Sequence, residues 1–395
     1  MDEAVKSITH VLYLLTLKSR FHALSLLGAT SFPSKLADAK LAFDAIFLAS
    51  ILEDYLKRTY HFSARTLTWK GQLDTVADCF IDEKTINQSK LDQFINSIES
   101  DLSMHLQTLK DIHPNHLMYA SVHFIAKMID QQIGSYKPIG NDLIFPDVYW
   151  GSDEPKKTLK TPDIIRLDDQ FEATTSVLEK DQVKFSKVSF EENVEFFWNL
   201  GIREILAAEI CAMSIFEYDN LPLDFYHDMV KQMYDESRHA NFYIKKSVEF
   251  FPIAKKRSSD ERLLAIISNF EQGGKLPVPK EKNFIEAFLN ASLTERLILL
   301  NIRTEAPAVA RLKDKMDSPF CDEFPDIKES FSIDRNDEIS HGSIGYKWLR
   351  HLYPELETRK KILQDVDSYR GLLLATSIDA NSEDEFLELL ERLAE

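Results

Sequence analysis

Two short phrases in this chain carry the same residues at the same spacing. The first is Asp235-Glu236-Ser237-Arg238-His239, followed by Lys245; the second is Asp337-Glu338-Ile339-Ser340-His341, followed by Lys347. Both fit Asp-Glu-x-x-His-x5-Lys. A Glu and a His three positions apart share one face of a helix, about one turn apart. Two such helices facing each other would present two carboxylates and two imidazoles to one space, which is half of a dinuclear metal site.

The elements that must hold these residues follow from periodicity and breakers. Helix A is expected over 189–217, with Ser189 and Glu192 as a capping box. Helix B spans 223–250 and stops at Pro252; helix C spans 282–317; helix D spans 326–352 and ends at Pro354. Short A–B and C–D connections predict two hairpins, joined by a long crossover over 251–281 with a short helix near 261–270. That is the topology of a ferritin-like four-helix bundle. Such a site also takes one carboxylate from each of helices A and C. Glu204 and Glu236 are 32 positions apart and Glu305 and Glu338 are 33 apart, each pair nearly centred on its turn. Equal rise per residue then sets each pair level. The expected ligands are Glu204, Glu236, His239, Glu305, Glu338 and His341. Glu209 is a lesser candidate, because five residues rotate it to another face.

Four carboxylates and two imidazoles make a hard, oxygen-rich donor set, suited to two iron ions, two manganese ions or a mixed pair. Asp235 and Asp337 are expected to orient the imidazoles, across the helix pair, with Arg238 pairing to such a carboxylate. Tyr243, one turn past His239, is a candidate redox phenol. Cys211, behind Ala207 and Ala208, is a candidate pocket residue. Pro307 must distort helix C beside Glu305.

The rest of the chain is expected to be helical too. Helices are predicted over 4–28 and from Ser34 to about 60, the latter burying Leu36, Leu41, Phe43, Ile46, Phe47 and Ile51. Further ones are expected over 89–109, 116–133 and 383–393, with a short strand over 65–70. His105, His113, His116 and His123 lack recurring carboxylate partners and read as ordinary core or surface histidines. Seven Gly and Pro residues between Gly134 and Pro162 mark a boundary. The expected organisation is a helical N-terminal domain (1–160), the dimetal bundle (161–355) and a helical tail (356–395).

The formal charge of −17 disfavours a phosphate backbone as partner. The three cysteines are widely spaced, which predicts a reducing, cytoplasmic setting. Neither a signal peptide nor a membrane span is expected.

The stretches Ile202-Arg203-Glu204-Ile205-Leu206-Ala207-Ala208-Glu209 and Leu221-Pro222-Leu223-Asp224-Phe225-Tyr226-His227-Asp228-Met229-Val230 lead into the first phrase. Asn336 precedes the second, and Gly345-Tyr346-Lys347-Trp348-Leu349-Arg350 follows it. Over 195–352 the chain resembles the ferritin-like family called domain of unknown function 455. Glu204 and Glu305 fall at that family's ligand positions; Pro307 and the region before 160 depart from it. The resemblance implies a non-haem dimetal oxidase or oxygenase, with dioxygen as cosubstrate, a small organic substrate and an external electron donor. A homodimer is compatible with it. Two alternatives stay open: a non-catalytic or ferroxidase-like metal-binding protein, and an enzyme like the tRNA hydroxylase of the wider superfamily.

Overall fold

The computed structural model describes residues 3–60, 79, 86–112, 155–157, 159, 171–174, 190–219, 221–279 and 288–374. Helices dominate them. In chain order they are α1 (Glu3–Gly28), α2 (Phe32–Tyr60), α3 (Gln88–Ile112), α4 (Phe190–Glu217), α5 (Leu223–Arg257) and α6 (Glu261–Glu271). Then come α7 (Leu293–Arg296), a π-helical stretch (Leu297–Glu305), α8 (Ala306–Met316), α9 (Pro319–Glu323), α10 (Pro325–Leu352) and α11 (Leu356–Leu374). Two four-residue strands, β1 (Phe171–Thr174) and β2 (Leu276–Pro279), pair in parallel. The segments 65–70, 116–133 and 383–393 and most of the expected boundary loop lie outside the described residues, as do His113, His116 and His123. No described helix is long and apolar enough to cross a membrane.

The four site helices follow the expected order, with three local differences. Helix B does not stop at Pro252: α5 runs on to Arg257. A proline removes one N–H near the end, while Lys255, Lys256 and Arg257 suit the negative pole of the last turn. Lys282, the expected start of helix C, lies outside the described residues, but the expected helix is interrupted at 291–292. Ser292 and Glu295 form a reciprocal capping box, so the helix starts at Leu293. The distortion expected at Pro307 takes the form of the π-helical stretch, which ends at Glu305. There the Ala306 N–H reaches back five residues to Asn301 O, and the Thr304 hydroxyl donates to Leu299 O at 2.8 Å. Such stretches recur at functional sites.

The hairpins close tightly because glycine stands where they touch. A Cβ on Gly201 would lie 2.7 Å from Ile244 Cδ1 and 3.1 Å from Ala240 O. A Cβ on Gly345 would lie 2.6 Å from Asn301 Cβ and 3.3 Å from Leu297 O. The second contact is with backbone and cannot rotate away. Gly345→Ala should therefore destabilise the fold by about 1–3 kcal/mol, the usual cost of overpacking. The check is the urea midpoint; an unchanged midpoint would mean that the pair can part freely.

α1 and α2 share one apolar core with α4 and α5. Arg20, buried on α1, binds Asp219 at 2.6 Å and donates to Tyr218 O at 3.0 Å, which fastens α1 to the α4–α5 turn. The cap of α2 is Ser31, whose Oγ accepts from Ser34 N at 3.2 Å, in place of the expected Ser34. The buried face of α2 is also rotated from expectation. Ala39, Ala42, Ala45, Ile46, Ala49 and Leu52 are buried, whereas Leu41, Phe47 and Ile51 are exposed. Alanines let α2 approach both α1 and α5, and that closeness outweighs the larger side chains.

Candidate metal centre

Each site helix delivers its residues at one depth. α4 carries Glu204, α5 carries Glu236 and His239, the end of the π-helical stretch carries Glu305, and α10 carries Glu338 and His341. They converge as two overlapping groups: Glu204, Glu236, His239 and Glu338 in one, and Glu236, Glu305, Glu338 and His341 in the other. Within each group one donor atom from every residue lies within 4.8 Å of the others. Glu236 and Glu338 belong to both. Five of the six are at most 3% exposed, and Glu204 is half-buried.

The imidazoles are held in matching ways. His341 Nδ1 lies 3.1 Å from Glu236 and 3.2 Å from Glu338, while its Nε2 meets Asp235 at 3.3 Å. His239 Nδ1 faces Glu236 at 3.5 Å, and its Nε2 meets Asp337 at 3.2 Å and Asp334 at 3.1 Å. Each phrase thus supplies an aspartate to the histidine of the other. Each aspartate has its own cation: Lys231 on Asp235 at 2.6 Å, and Arg238 on Asp337 at 2.5 Å.

Protonation follows from burial and crowding. Burial, and then the carboxylates of Glu236 and Glu338, push the Glu204 carboxyl well above the ordinary 4.5. Burial, and then the carboxylates of Glu338 and Glu236, push Glu305 well above it too. For Glu236 burial opposes ionisation, but the two imidazoles outweigh it and hold its carboxyl well below the usual range. For His239 burial opposes protonation, yet Asp334, Asp337 and Glu236 raise it well above 6.5. His341 is raised similarly by Glu236 and Asp235. Asp337 falls to about 2, since His239 and Arg238 outweigh its burial. Protons here fill the place of positive charge that the carboxylates require.

The donor set fits a metal pair on an independent ground. Glu236 Oε2, His239 Nδ1 and Glu305 Oε1 are buried and make no hydrogen bond. A buried polar atom without a partner costs about 1–3 kcal/mol, and coordination would satisfy all three.

Other expected residues fall elsewhere or nearby. Glu209 does not join the cluster. It pairs with Lys35 of α2 at 3.0 Å, because five residues past Glu204 it faces the N-terminal helices. Lys245 is exposed and Lys347 pairs with Asp228 at 2.7 Å, so the lysines of the repeat lie outside the site. Tyr243 is buried, stacks on Phe197 and donates its hydroxyl to Asp334. Ala208 and Cys211 are fully buried. Burial, and then the negative charge of Glu236, push the Cys211 thiol up.

Sequence reasoning missed Asp334, Gln232 and Asn301. Gln232 donates to Glu236 Oε1 at 3.1 Å; Asn301 donates to Gln232 at 2.6 Å and to His341 O at 2.8 Å. Gln232 and Asp334 each stand four residues before a shared glutamate, one turn along the same face, and that spacing was the available signal. Comparison of the chain with protein-family models, with curated proteins and with solved structures finds no match.

Proposed function

We propose that the chain is a ferritin-like, non-haem dimetal oxidase or oxygenase that uses dioxygen to oxidise a small organic substrate. The observation that carries this reading is that two four-residue groups share Glu236 and Glu338. Glu236 and Glu338 would help to hold both of two neighbouring ions. Glu204 and His239 would complete one ion, and Glu305 and His341 the other. Iron suits this oxygen-rich set, with manganese or a mixed pair as the alternatives. When bound, two iron(II) ions supply the electrons for reducing dioxygen.

The chain's own residues have definable tasks. The burial of five of the six ligands limits water at the centre and strengthens each charge interaction there. Asp235 and Asp337 accept the Nε2 proton of the opposite imidazole, which turns Nδ1 inward as the donor atom. Burial opposes ionisation of these two aspartates, but the imidazoles, and then Lys231 and Arg238, outweigh it and hold both carboxyls below the usual range. Asp334 accepts from the Tyr243 hydroxyl and faces the same Nε2 of His239 as Asp337 does.

The direct test is metal analysis with dioxygen uptake on the full chain. Two ions per chain, and uptake that depends on an added organic substrate, are expected. Uptake that needs no organic substrate and ends in mineralised iron would replace the oxygenase with a ferroxidase-like protein. Asp337→Asn should lower metal affinity about 10- to 100-fold, the usual effect of removing such an orienting partner. Competition with a chelator measures it, and unchanged affinity would remove Asp337 from this role.

A further inference from the structure

The outer face of α2 carries large apolar side chains where a solvent-facing helix is normally polar. Phe47 is 47% exposed, Leu41 42% and Ile51 40%. Phe43 is half-buried. It stacks on Phe47 at 6.0 Å between ring centres and on Tyr234 of α5 at 5.4 Å, which carries the apolar strip onto the neighbouring helix. α1 and α5 pack against the other sides of α2. Along the outer face Lys40, Asp44, Phe47, Ile51, Asp54 and Arg58 recur at alternating steps of four and three. That spacing keeps a seam turned toward a second helix.

The charges on this seam are placed symmetrically about Phe47. Lys40 stands seven residues before it and Asp54 seven after. Seven residues are about 20° short of two turns and rise about 10 Å, so both share the face of Phe47 at equal distances from it. Let a second α2 lie antiparallel across the seam, with a two-fold axis at Phe47. Each Lys40 then comes level with Asp54 of the other copy, Phe43 comes level with Ile51, and Phe47 meets itself. Within the helix Lys40 binds Asp44 at 2.5 Å and Arg58 binds Asp54 at 2.9 Å. The contact would join these pairs into a row of alternating sign.

Charge also selects this face for self-association. The whole chain carries −17, so copies repel through most of their surface. From 40 to 58 the sum is zero, because Lys40, Lys57 and Arg58 balance Asp44, Glu53 and Asp54. A charge order that complements its own reversal is what a two-fold contact between identical copies needs, since one patch must serve both sides.

We propose that the outer face of α2 is a dimer interface, on which a second copy of this chain docks antiparallel about a two-fold axis at Phe47. Phe43, Phe47 and Ile51 form its apolar centre, and Lys40 and Asp54 its charged rim, the usual division of an interface. No residue of the metal centre takes part, so this inference stands apart from the dimetal reading.

The test is sedimentation velocity of the full chain across the micromolar range. It should show a reversible dimer and nothing larger, as a closed two-fold contact requires. Phe47→Asp should raise the dissociation constant about tenfold or more, because a residue on the axis is changed twice in each dimer. Lys40→Glu and Asp54→Lys should each weaken the dimer about tenfold or more by setting like charges opposite. Combined, they restore opposite signs, and the double variant should regain wild-type association. Leu356→Asp, at an exposed apolar residue on α11, should leave the dimer unchanged. Far-UV circular dichroism on each variant separates lost association from lost folding. The proposal is overturned by a monomeric wild type, by larger assemblies, by a double variant as weak as the single ones, or by a dimer indifferent to Phe47→Asp. A loss with Leu356→Asp equal to that with Phe47→Asp overturns it too. A monomer in which Phe47 nonetheless resists hydroxyl-radical labelling would show that another part of the same chain covers the face, and the dimer interface falls with it.

Discussion

Glu236→Gln should abolish binding at both metal positions, whereas Glu204→Ala should remove only one ion. Glu236 belongs to both groups, is 0% exposed, and faces both imidazoles. Glutamine keeps its shape and can still accept from Gln232 Nε2, so the helix pair stays filled. What is lost is the charge that two cations would share. Removing one partner from a buried charge pair costs about 3–5 kcal/mol, or roughly two to four orders of magnitude in affinity at about 1.4 kcal/mol per decade. Glu204 belongs to one group only and stands at its open edge. Metal content by elemental analysis, alongside a thermal scan to show that both variants fold, gives the answer. A Glu236→Gln chain that still holds two ions would show that the centre is not built on a shared carboxylate.

That both groups were legible in the sequence has a physical cause. Helices have a fixed rise, and short connections force hairpins, so counting residues from a turn measures depth. Glu204 and Glu305 were found in this way, without any similarity between their helices. The reading weakened where local rules competed. Apolar periodicity runs through Leu289 and Ala291, which hid the helix start that Ser292 and Glu295 fix by capping. On α2 the larger side chains suggested the wrong face, because hydropathy ranks Phe47 and Ile51 above alanine while close helix approach favours alanine. The repeated phrase itself began one residue before each glutamate, which drew attention from Gln232 and Asp334 four residues before. The π-helical stretch could not be read as such. Pro307 signals only that a hydrogen bond is missing, and the surrounding packing decides how the helix absorbs the loss.

Chelating the metal should lower the unfolding temperature, and by more at pH 8 than at pH 5.5. In the metal-free chain Glu204 and Glu305 hold protons above the ordinary 4.5, and His239 and His341 above 6.5. A group whose folded value is raised binds more protons when folded. Its stabilisation is complete below the unfolded value and is lost as pH rises through the folded one. The glutamates therefore withdraw support from about pH 4.5 upward and the imidazoles from about pH 6.5 upward. Glu236 has the opposite sign: its support is present above 4.5 and is lost only in acid, so it is constant across this window. Metal binding requires the same ligands without their protons, so it strengthens as pH rises. The loaded chain thus gains where the chelated chain loses. A ligand present at a thousand times its dissociation constant adds about 4 kcal/mol, which at roughly 2–4 °C per kcal/mol corresponds to a gap of about 10 °C at pH 8. Thermal scans with metal and with chelator, repeated across pH, measure the gap. Glu305→Gln, which fixes that group in its neutral form, should make the chelated chain less sensitive to pH. A gap that stays constant or narrows from pH 5.5 to 8 would mean that the buried carboxylates and imidazoles are not where the metal binds.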